Sequence, residues 1–401
     1  MTTALAMKTS SITRLLLWVG IFALFLSSCR KEDEIIPSTE EQGGKPEPAG
    51  PIKGFFLLNE ANMGSNKSTL DYYDYETGKY TRNIYAERNP GVVKELGDVG
   101  NDLQIYGNRL YAVINVSHLI EVMDVRTAKH IGKISIPNCR YITFKDGFAY
   151  VSSYAGPVQI DPNARLGYVA KVDTATLKVV AECPVGYQPD ELVISGDKLY
   201  VANSGGYRVP NYDKTISIID LKTFTEEKKV DVAINLHRLE LDNYGKIWVS
   251  SRGDYYKVPS KIFVFDPKTE QVTKTLDVSC SNMTLAGDSL FVYSTEWSYI
   301  TGANTISYTV IDTKSQEVID RNFIKDGTEK EIKIPYGIAV NREQGEFYVT
   351  DAKNYVTPGR LHCYDLKTGK RKWTVKTGDI PAHFAFTRYE LQPLKPQTPQ
   401  Q

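Results

Sequence analysis

The feature that most constrains how this chain can fold is a short phrase that recurs along it. An apolar residue is followed by Asp, by two further residues and then by Thr or Ser, and successive Asp residues are 46 to 53 positions apart. A period of this size is typical of stacked or radial repeats. The repeated residues are Asp74, Asp124, Asp173, Asp220, Asp266, Asp312 and Asp365.

Each repeat contains four runs that read as strands. The Asp phrase ends an alternating run, as in "KIFVFD", and a second alternating run precedes it, as in "YVSS" at 150 and "YVAN" at 200. A third run comes before these phrases. Residues typical of a tight hairpin turn, such as Gly196-Asp197, connect the two. A fourth follows the Asp turn, as in "EEKKVDVAI". Seven repeats of four antiparallel strands, with no convincing helix, predict an all-β fold, the seven-bladed β-propeller.

The repeated Asp has a structural explanation in this fold. Its side chain can accept hydrogen bonds from backbone N–H groups of the turn into the outermost strand, and the Thr or Ser can act similarly. Because every blade has one such Asp, at the periphery, we interpret the seven as turn residues and not as a catalytic or metal-binding set.

Closure of the ring sets the domain boundaries. The first "FLLN" strand lacks a preceding innermost strand, whereas the last repeat is followed by "GDIPAHFAFTR". Pairing of residues 384–387 with residues 55–60 would close the ring and remove an exposed edge. The propeller is therefore predicted to span residues 54–389, followed by a disordered tail, 390–401.

The N-terminus predicts export and lipidation. Lys8 and Arg14 precede "LLLWVGIFALFL", which is typical of a secretory signal peptide over residues 1–28. The stretch ends in "LSSC", which resembles a bacterial lipobox and makes Cys29 the predicted site of acylation. The following "RKEDE" resembles an export signal for the outer face of the outer membrane. Residues 35–53 are rich in Pro, Gly and Glu, which predicts an acylated flexible tether over residues 29–53.

Two sets of loops on one face of the ring could form a ligand site. The loops from second to third strands vary in length and concentrate Tyr, Trp, Arg and Asn, which suit a large, partly polar ligand. The connections into the innermost strands point at the central channel, where Arg238 and Tyr336 could join residues of the predicted site. A wet channel without a ligand is the alternative. The predicted ligand-binding residues are Arg140, Tyr154, Asp190, Tyr207, Arg208, His237, Arg252, Tyr255, Trp297, Tyr299, Tyr355 and His383.

Other function classes find little support in the sequence. Lys plus Arg equals Asp plus Glu at 48 each, so the chain has no net positive charge that would favour binding to nucleic acid. The chain has no G-x-S-x-G, HExxH or P-loop motif, and its five His residues do not indicate a His-rich metal centre. No cofactor or metal is expected. The cysteines of the propeller range are predicted to be buried or free thiols, and they are Cys139, Cys183, Cys280 and Cys363.

The phrases "YVTD" and "YVAN" resemble the YVTN-type propeller repeat of bacterial surface proteins. Together with the lipobox, the acidic export signal and the aromatic loops, the chain resembles the surface cobalamin-binding propeller lipoproteins of gut Gram-negative anaerobes. That resemblance implies a non-enzymatic protein that captures cobalamin or another corrinoid outside the cell. It also implies delivery to a TonB-dependent outer-membrane transporter. Two alternatives stay open: a propeller lyase or hydrolase acting on polysaccharide, for which Asp190, His237 and Arg238 are the candidates, and an adhesion or scaffold propeller.

Overall fold

The computed structural model describes residues 37–47, 50–92, 95–298 and 303–394, with only the backbone described at 297, 298, 303 and 304. The predicted signal peptide, Cys29, Tyr299, the side chain of Trp297 and residues 395–401 lie outside the described residues. Within the described residues, no helix is long and apolar enough to cross a membrane.

The chain folds into seven antiparallel blades arranged in a ring, each built on four strands with a fifth added at the outer edge of blade one, which confirms the predicted β-propeller. Blade one contains β1 (Thr39–Gln42), β2 (Gly54–Asn59), β3 (Thr69–Asp74), β4 (Lys79–Arg82) and β29 (Pro381–Thr387). Blade two contains β5 (Gly100–Tyr106), β6 (Arg109–Ile114), β7 (Leu119–Asp124) and β8 (His130–Ser135). Blade three contains β9 (Cys139–Lys145), β10 (Phe148–Ser153), β11 (Tyr168–Asp173) and β12 (Lys178–Pro184).

The remaining blades follow in chain order, from the innermost strand outwards. Blade four contains β13 (Pro189–Ser195), β14 (Lys198–Asn203), β15 (Thr215–Asp220) and β16 (Thr225–Asp231). Blade five contains β17 (Leu236–Leu241), β18 (Ile247–Ser251), β19 (Lys261–Asp266) and β20 (Gln271–Leu276). Blade six contains β21 (Asn282–Ala286), β22 (Ser289–Ser298), β23 (Ala303–Asp312) and β24 (Glu317–Asp320). Blade seven contains β25 (Pro335–Asn341), β26 (Glu346–Asp351), β27 (Pro358–Asp365) and β28 (Arg371–Asp379).

In the described part of the chain, two short helices lie in the connections between blades. A five-residue helix, α1 (Ile84–Arg88), joins blades one and two, and a 3-10 turn at Thr328–Glu331 joins blades six and seven. Ile84 and Tyr85 of α1 are buried in the cluster between the blades that it joins.

The hydrophobic core is divided among the seams between neighbouring blades. Each seam holds one cluster of buried apolar side chains, to which the second strands contribute from both of their faces. The second strand β2 is buried at all six positions, and β26 is equally buried. This explains why every "YV" phrase begins with an aromatic residue followed by an aliphatic one, since a strand packed on both faces has no solvent side.

The C-terminal strand closes the ring, as predicted. Phe386 pairs with Phe55 and Phe384 with Leu57, so β29 becomes the innermost strand of blade one. The seam beside this closure, between blades seven and one, is rich in aromatic rings. Tyr73 stacks on Trp373 with ring centroids 4.7 Å apart. Aromatic pairs of this kind add about 0.5–1.5 kcal/mol beyond the area that they bury.

Blade one has a fifth strand that the sequence did not predict. Thr39–Gln42 falls within the range predicted as a flexible tether, yet it pairs antiparallel with β4 along the outer edge of the blade. Glu40 forms an ion pair of 2.9 Å with Lys79, and Glu41 accepts a hydrogen bond from the backbone N–H of Lys376 in blade seven. Main-chain pairing stabilises this strand, so it needs no periodic apolar face.

The beginning of the predicted tail is also held against the ring. The backbone N–H of Gln392 donates to the carbonyl of Arg126, and Arg88 donates to the carbonyl of Gln392. Arg126 lies over the ring of Tyr389 at 4.2 Å. The C-terminal segment therefore bridges blades one and two beyond its last strand.

The repeated Asp residues cap turns, as predicted. Oδ1 of Asp220 accepts the N–H groups of Lys222 and Thr223, both at 2.8 Å. Oδ1 of Asp365 accepts the N–H and the hydroxyl of Thr368 at 2.7 Å. Equivalent bonds occur at Asp74, Asp124, Asp173, Asp266 and Asp312.

The four cysteines of the described residues are free and buried, in agreement with the sequence prediction. Burial raises the pKa of the Cys139 and Cys280 thiols to about 12. Thiols of this kind stay protonated and unreactive at neutral pH.

Candidate functional site

A cavity of about 890 Å³ opens on the face of the ring where second strands pass to third strands. Its floor comes from the start of the innermost strands, and its walls come from the loops, which is the arrangement that the sequence predicted. We call it the mouth cavity. Residues that line it include Glu60, Arg140, His237, Arg252, Tyr255, Asn282, Tyr336, Tyr355 and His383.

Asp190 lies behind one side of the mouth cavity and binds several of the side chains that line it. It lies at the start of β13 and is completely buried. Oδ1 accepts the hydroxyl of Tyr154 at 2.7 Å and Nε of Arg140 at 3.4 Å. Oδ2 accepts Nη1 of Arg252 at 2.9 Å and lies 3.2 Å from Nδ1 of His237. These groups come from blades three and five, so one carboxylate of blade four joins both of its neighbours.

The charge state of this cluster follows from its contacts. Burial alone would raise the pKa of Asp190, but Arg252, Arg140 and His237 hold it well below its usual range. Burial and the charge of Arg252 lower the pKa of His237 to about 3. At neutral pH, an ionised Asp190 therefore faces two guanidinium groups and a neutral imidazole. The imidazole donates through Nδ1 and keeps Nε2 as an acceptor.

This cluster is suited to binding and not to proton transfer by its carboxylate. An ionised carboxylate offers about four acceptor positions, and Asp190 already accepts four partners. It does not line the mouth cavity, whereas Arg140, His237 and Arg252 do. Each guanidinium has five N–H donors, of which Asp190 takes one, so Asp190 positions donors towards a ligand.

The opposite side of the mouth cavity carries an acidic group. Glu60, the first residue after β2, accepts the hydroxyl of Tyr336 at 2.6 Å. Its other oxygen lies 2.9 Å from Nε2 of His383. Burial and the neighbouring carboxylate raise the pKa of Tyr336 well above its ordinary value, so Tyr336 stays protonated and donates. The mouth cavity is therefore bipolar, with guanidinium groups of blades three and five facing a carboxylate of blade one.

Aromatic side chains form an exposed rim around this polar floor. Tyr255 of blade five is 58 % exposed and Tyr355 of blade seven is 40 % exposed, although both line the mouth cavity. Tyr207 of blade four and Met63 of blade one extend the rim. Exposed apolar side chains grouped around a cavity indicate a binding surface more than isolated ones do.

The rim tyrosines are held by the local structure of their loops. Oδ1 of Asp254 accepts the N–H groups of three following residues, and Oδ1 of Asn354 accepts two. Tyr255 and Tyr355, which follow these caps, adopt left-handed backbone conformations with φ of 64° and 63°. Gly253 permits the tight loop of blade five, because a Cβ there would lie 1.9 Å from the carbonyl oxygen of Val258. The backbone of both tyrosines is thus held in place by its own loop.

The structure brings most of the predicted site residues together. Seven of them line the mouth cavity, namely Arg140, Tyr207, His237, Arg252, Tyr255, Tyr355 and His383. Asp190 and Tyr154 lie directly behind them. Arg208 does not line the cavity, since its guanidinium lies 3.5 Å from the ring centroid of Tyr187 and donates to the carbonyl of Asn211.

The prediction missed Glu60 and Asn282 among the residues that line the mouth cavity. The position of Glu60 in the repeat could have predicted it as a site residue. The residue directly after each "YV" phrase lies at the same level of its blade. Arg252 and Asn115 occupy that position and also line the cavity. Asn282 holds Arg238 in place by accepting its Nε–H at 2.8 Å. Among the described residues, no group of three or more His, Cys, Asp or Glu could hold a metal ion.

Residues 53–387 match the model of a domain of unknown function, DUF5074. The chain belongs to the DUF5074 family. No curated protein sequence matches it. The match runs from β2 to β29, so DUF5074 covers the four basic strands of all seven blades and leaves out only the added strand β1.

Solved structures share this fold at low sequence identity. The periplasmic gluconolactonase of Pseudomonas aeruginosa has a TM-score of 0.58 at 12 % identity, over 83 % of this chain and 99 % of its own. The hydrazine synthase of Kuenenia stuttgartiensis has a TM-score of 0.55 at 18 % identity, over 67 % and 76 %. Apo AztD from Citrobacter koseri has a TM-score of 0.50 at 10 % identity, over 84 % and 98 %. At these identities the likeness extends to the fold alone, because propellers carry many unrelated activities.

Proposed function

We propose that this protein captures cobalamin or a related corrinoid at the mouth cavity and delivers it to a TonB-dependent transporter in the outer membrane. In this proposal, acylated Cys29 anchors the chain in the outer membrane, with the propeller facing the cell exterior. The observation that carries the proposal is the combination of an exposed aromatic rim with a bipolar floor.

The chemistry of a corrinoid is complementary to both parts of this site. Its ring is flat and largely apolar, which suits contact with Tyr255 and Tyr355. Amide groups surround the ring, and a phosphate and a base extend from it. Arg140 and Arg252 can donate to amide oxygens or to the phosphate, while the two remaining acceptor positions of Glu60 can receive amide N–H groups.

The dimensions of the mouth cavity agree with a large ligand that is only partly enclosed. A volume of about 890 Å³ lies near the upper end of the range for small-molecule sites, about 300–1,000 Å³. Its open side, at the level of the rim, leaves part of the ligand accessible. A ligand held in this way can be transferred to a second protein without passing through a closed cavity.

Titration with cyanocobalamin, followed by calorimetry, tests the proposal. We expect saturable binding, weakened roughly thirtyfold by Tyr255→Ala, because a well-packed aromatic anchor contributes about 2 kcal/mol or more. Tyr244→Ala is the matched control. Tyr244 is 42 % exposed, but it lies in the hairpin between β17 and β18, on the opposite face of the ring.

Absence of heat with any corrinoid would refute the proposal, and so would equal loss of affinity in the two variants. The alternative of a polysaccharide lyase or hydrolase predicts turnover of a glycan by the same protein. Its candidate carboxylate, Asp190, is enclosed by four partners and does not line the mouth cavity. Release of sugar products that Arg252→Ala abolishes would favour the enzyme. A scaffold would neither bind a corrinoid nor turn over a glycan.

A further inference from the structure

A second cavity, of about 840 Å³, lies on the flank of blade seven and shares no lining residue with the mouth cavity. We call it the flank groove. It lies where the connection from blade six meets the two outer strands, β27 and β28. The residues that line it are Glu331, Lys333, Asp351, Lys353, Asn354, Thr357, Arg360, His362, Arg371, Lys372, Trp373 and Thr374.

The flank groove has an excess of positive charge. Five of its residues are Lys or Arg and two are acidic. Arg371 is paired with Glu331, and Lys372 with Glu346. Asp351 accepts the backbone N–H groups of Ile334 and Lys353. Three cations form no ion pair within the described part of the chain, and they are Lys333, Lys353 and Arg360.

His362 supplies an independent sign of a missing partner. Its side chain is 2 % exposed, and Nδ1 lies 2.9 Å from the hydroxyl of Thr374. Its Nε2 is buried without any hydrogen-bond partner. A buried polar group without a partner costs about 1–3 kcal/mol. Such groups are rare in folded proteins and call for an explanation, such as an unseen ion.

The protonation state of His362 makes its Nε2 a hydrogen-bond donor. Burial, followed by the charge of Arg371, lowers the pKa of His362 to about 4, so the imidazole is neutral at pH 7. The hydroxyl of Thr374 can donate to Nδ1, which places the single ring hydrogen on Nε2. The unpaired cations around it favour a negatively charged acceptor.

We propose that the flank groove binds a small oxyanion, a carboxylate or a phosphate group. One oxygen of the anion accepts the Nε2–H of His362, and Arg360 pairs with the others through its planar guanidinium. Lys333 and Lys353 neutralise the remaining charge. The site is independent of corrinoid binding, because it depends on different residues.

Calorimetry with inorganic phosphate, D-glucuronate and D-glucose tests this site and separates the two sources of oxyanion. We expect one or both anions to bind and glucose, which lacks a charge, not to bind. Arg360→Ala should weaken binding at least tenfold. Arg360 is exposed, so its loss should leave the fold unchanged. His362→Gln should also weaken binding, provided that its melting temperature shows a folded ring.

Two controls make the result decisive. Lys178→Ala removes an exposed lysine from β12 of blade three, far from the flank groove, and should leave anion binding unchanged. Tyr255→Ala should leave it unchanged too, which separates this site from the mouth cavity. No heat from either anion would overturn the proposal. Equal weakening by Lys178→Ala and Arg360→Ala would also overturn it, since that result would reflect only the overall charge.

Discussion

The two faces of the ring are built from the same blades, but they differ in how closely their turns and loops repeat from blade to blade. On one face, the turns from third to fourth strands are alike, and each Asp accepts backbone N–H groups of its own turn. On the other face, the loops from second to third strands differ from blade to blade, and their side chains bond across blades. Tyr154 of blade three and Arg252 of blade five, which begin two of these loops, both donate to Asp190 of blade four. Repetition thus marks what every blade needs in order to fold, and departure from repetition marks the candidate site.

The largest expected effect concerns the closure on which both faces depend. A chain that ends at Asp379 lacks β29, so β2 keeps an unpaired inner edge and a buried aromatic seam loses Phe384 and Phe386. We expect aggregation or loss of cooperative unfolding, measured by gel filtration and circular dichroism. A chain that ends at Leu394 retains β29 and is the control. A monomeric product with a normal melting curve from the shorter chain would disprove the closure.

The next largest effect is expected for Asp190, which lies on the face whose loops differ from blade to blade. Asp190→Ala leaves two guanidinium groups, a tyrosine hydroxyl and an imidazole without their acceptor. Removal of one partner of a buried ion pair costs about 3–5 kcal/mol. We expect that loss in the free energy of urea unfolding, together with loss of corrinoid binding. Asp190→Asn keeps the shape of the side chain and one acceptor oxygen. Its free energy of unfolding should therefore lie between those of the wild type and Asp190→Ala. A change below about 1 kcal/mol for Asp190→Ala would contradict this description of the cluster.

A pH dependence should arise from the same cluster. The pKa of His237 is lowered to about 3 from an ordinary 6.5, so between these values the unfolded chain binds a proton that the folded chain does not. Stability should therefore fall as pH falls below 6.5, by at most about 1.4 kcal/mol per pH unit from this residue. His237→Gln should reduce that slope when unfolding is measured between pH 7 and 5. Identical slopes in the two proteins would contradict a neutral, buried His237.

The smallest effect belongs to the repeated face. Asp124→Ala removes three hydrogen bonds of 3.0 Å within one turn, to Arg126 and Thr127. Because the turn is near solvent, we expect a loss of about 1 kcal/mol in unfolding free energy, with no change in ligand affinity. Asp124→Asn keeps an acceptor and should lose less. A change in corrinoid affinity in either variant would show that the two faces are not independent.

The sequence predicted the fold well because the same pattern is present seven times. A single alternating run such as "YVTD" is ambiguous, but its recurrence beside an Asp turn at intervals of 46 to 53 residues is not. The strand Thr39–Gln42 was missed for the opposite reason. It occurs once, its residues are polar, and only the free edge of β4 makes it a strand.

The candidate site was predicted in part. The register of the innermost strands placed Asp190 and His237 near the channel mouth, because equivalent positions of all blades meet there. The sequence could not show that Asp190 is enclosed by side chains from two other blades, since those contacts depend on distances across the ring. The length and polarity of the first loop do not distinguish Glu60 from its neighbours, whereas its register with Arg252 does.

Closure by the last strand also sets the order in which the fold can be completed. Phe55 pairs with Phe386, so the first blade is completed by a strand that is synthesised more than 300 residues after β2. At a synthesis rate of about 5–20 residues per second, the early strand waits on the order of tens of seconds for its partner. During that time, β2 presents an apolar edge that another chain could pair with. The nascent chain therefore depends on staying unfolded or being shielded until β29 has been synthesised.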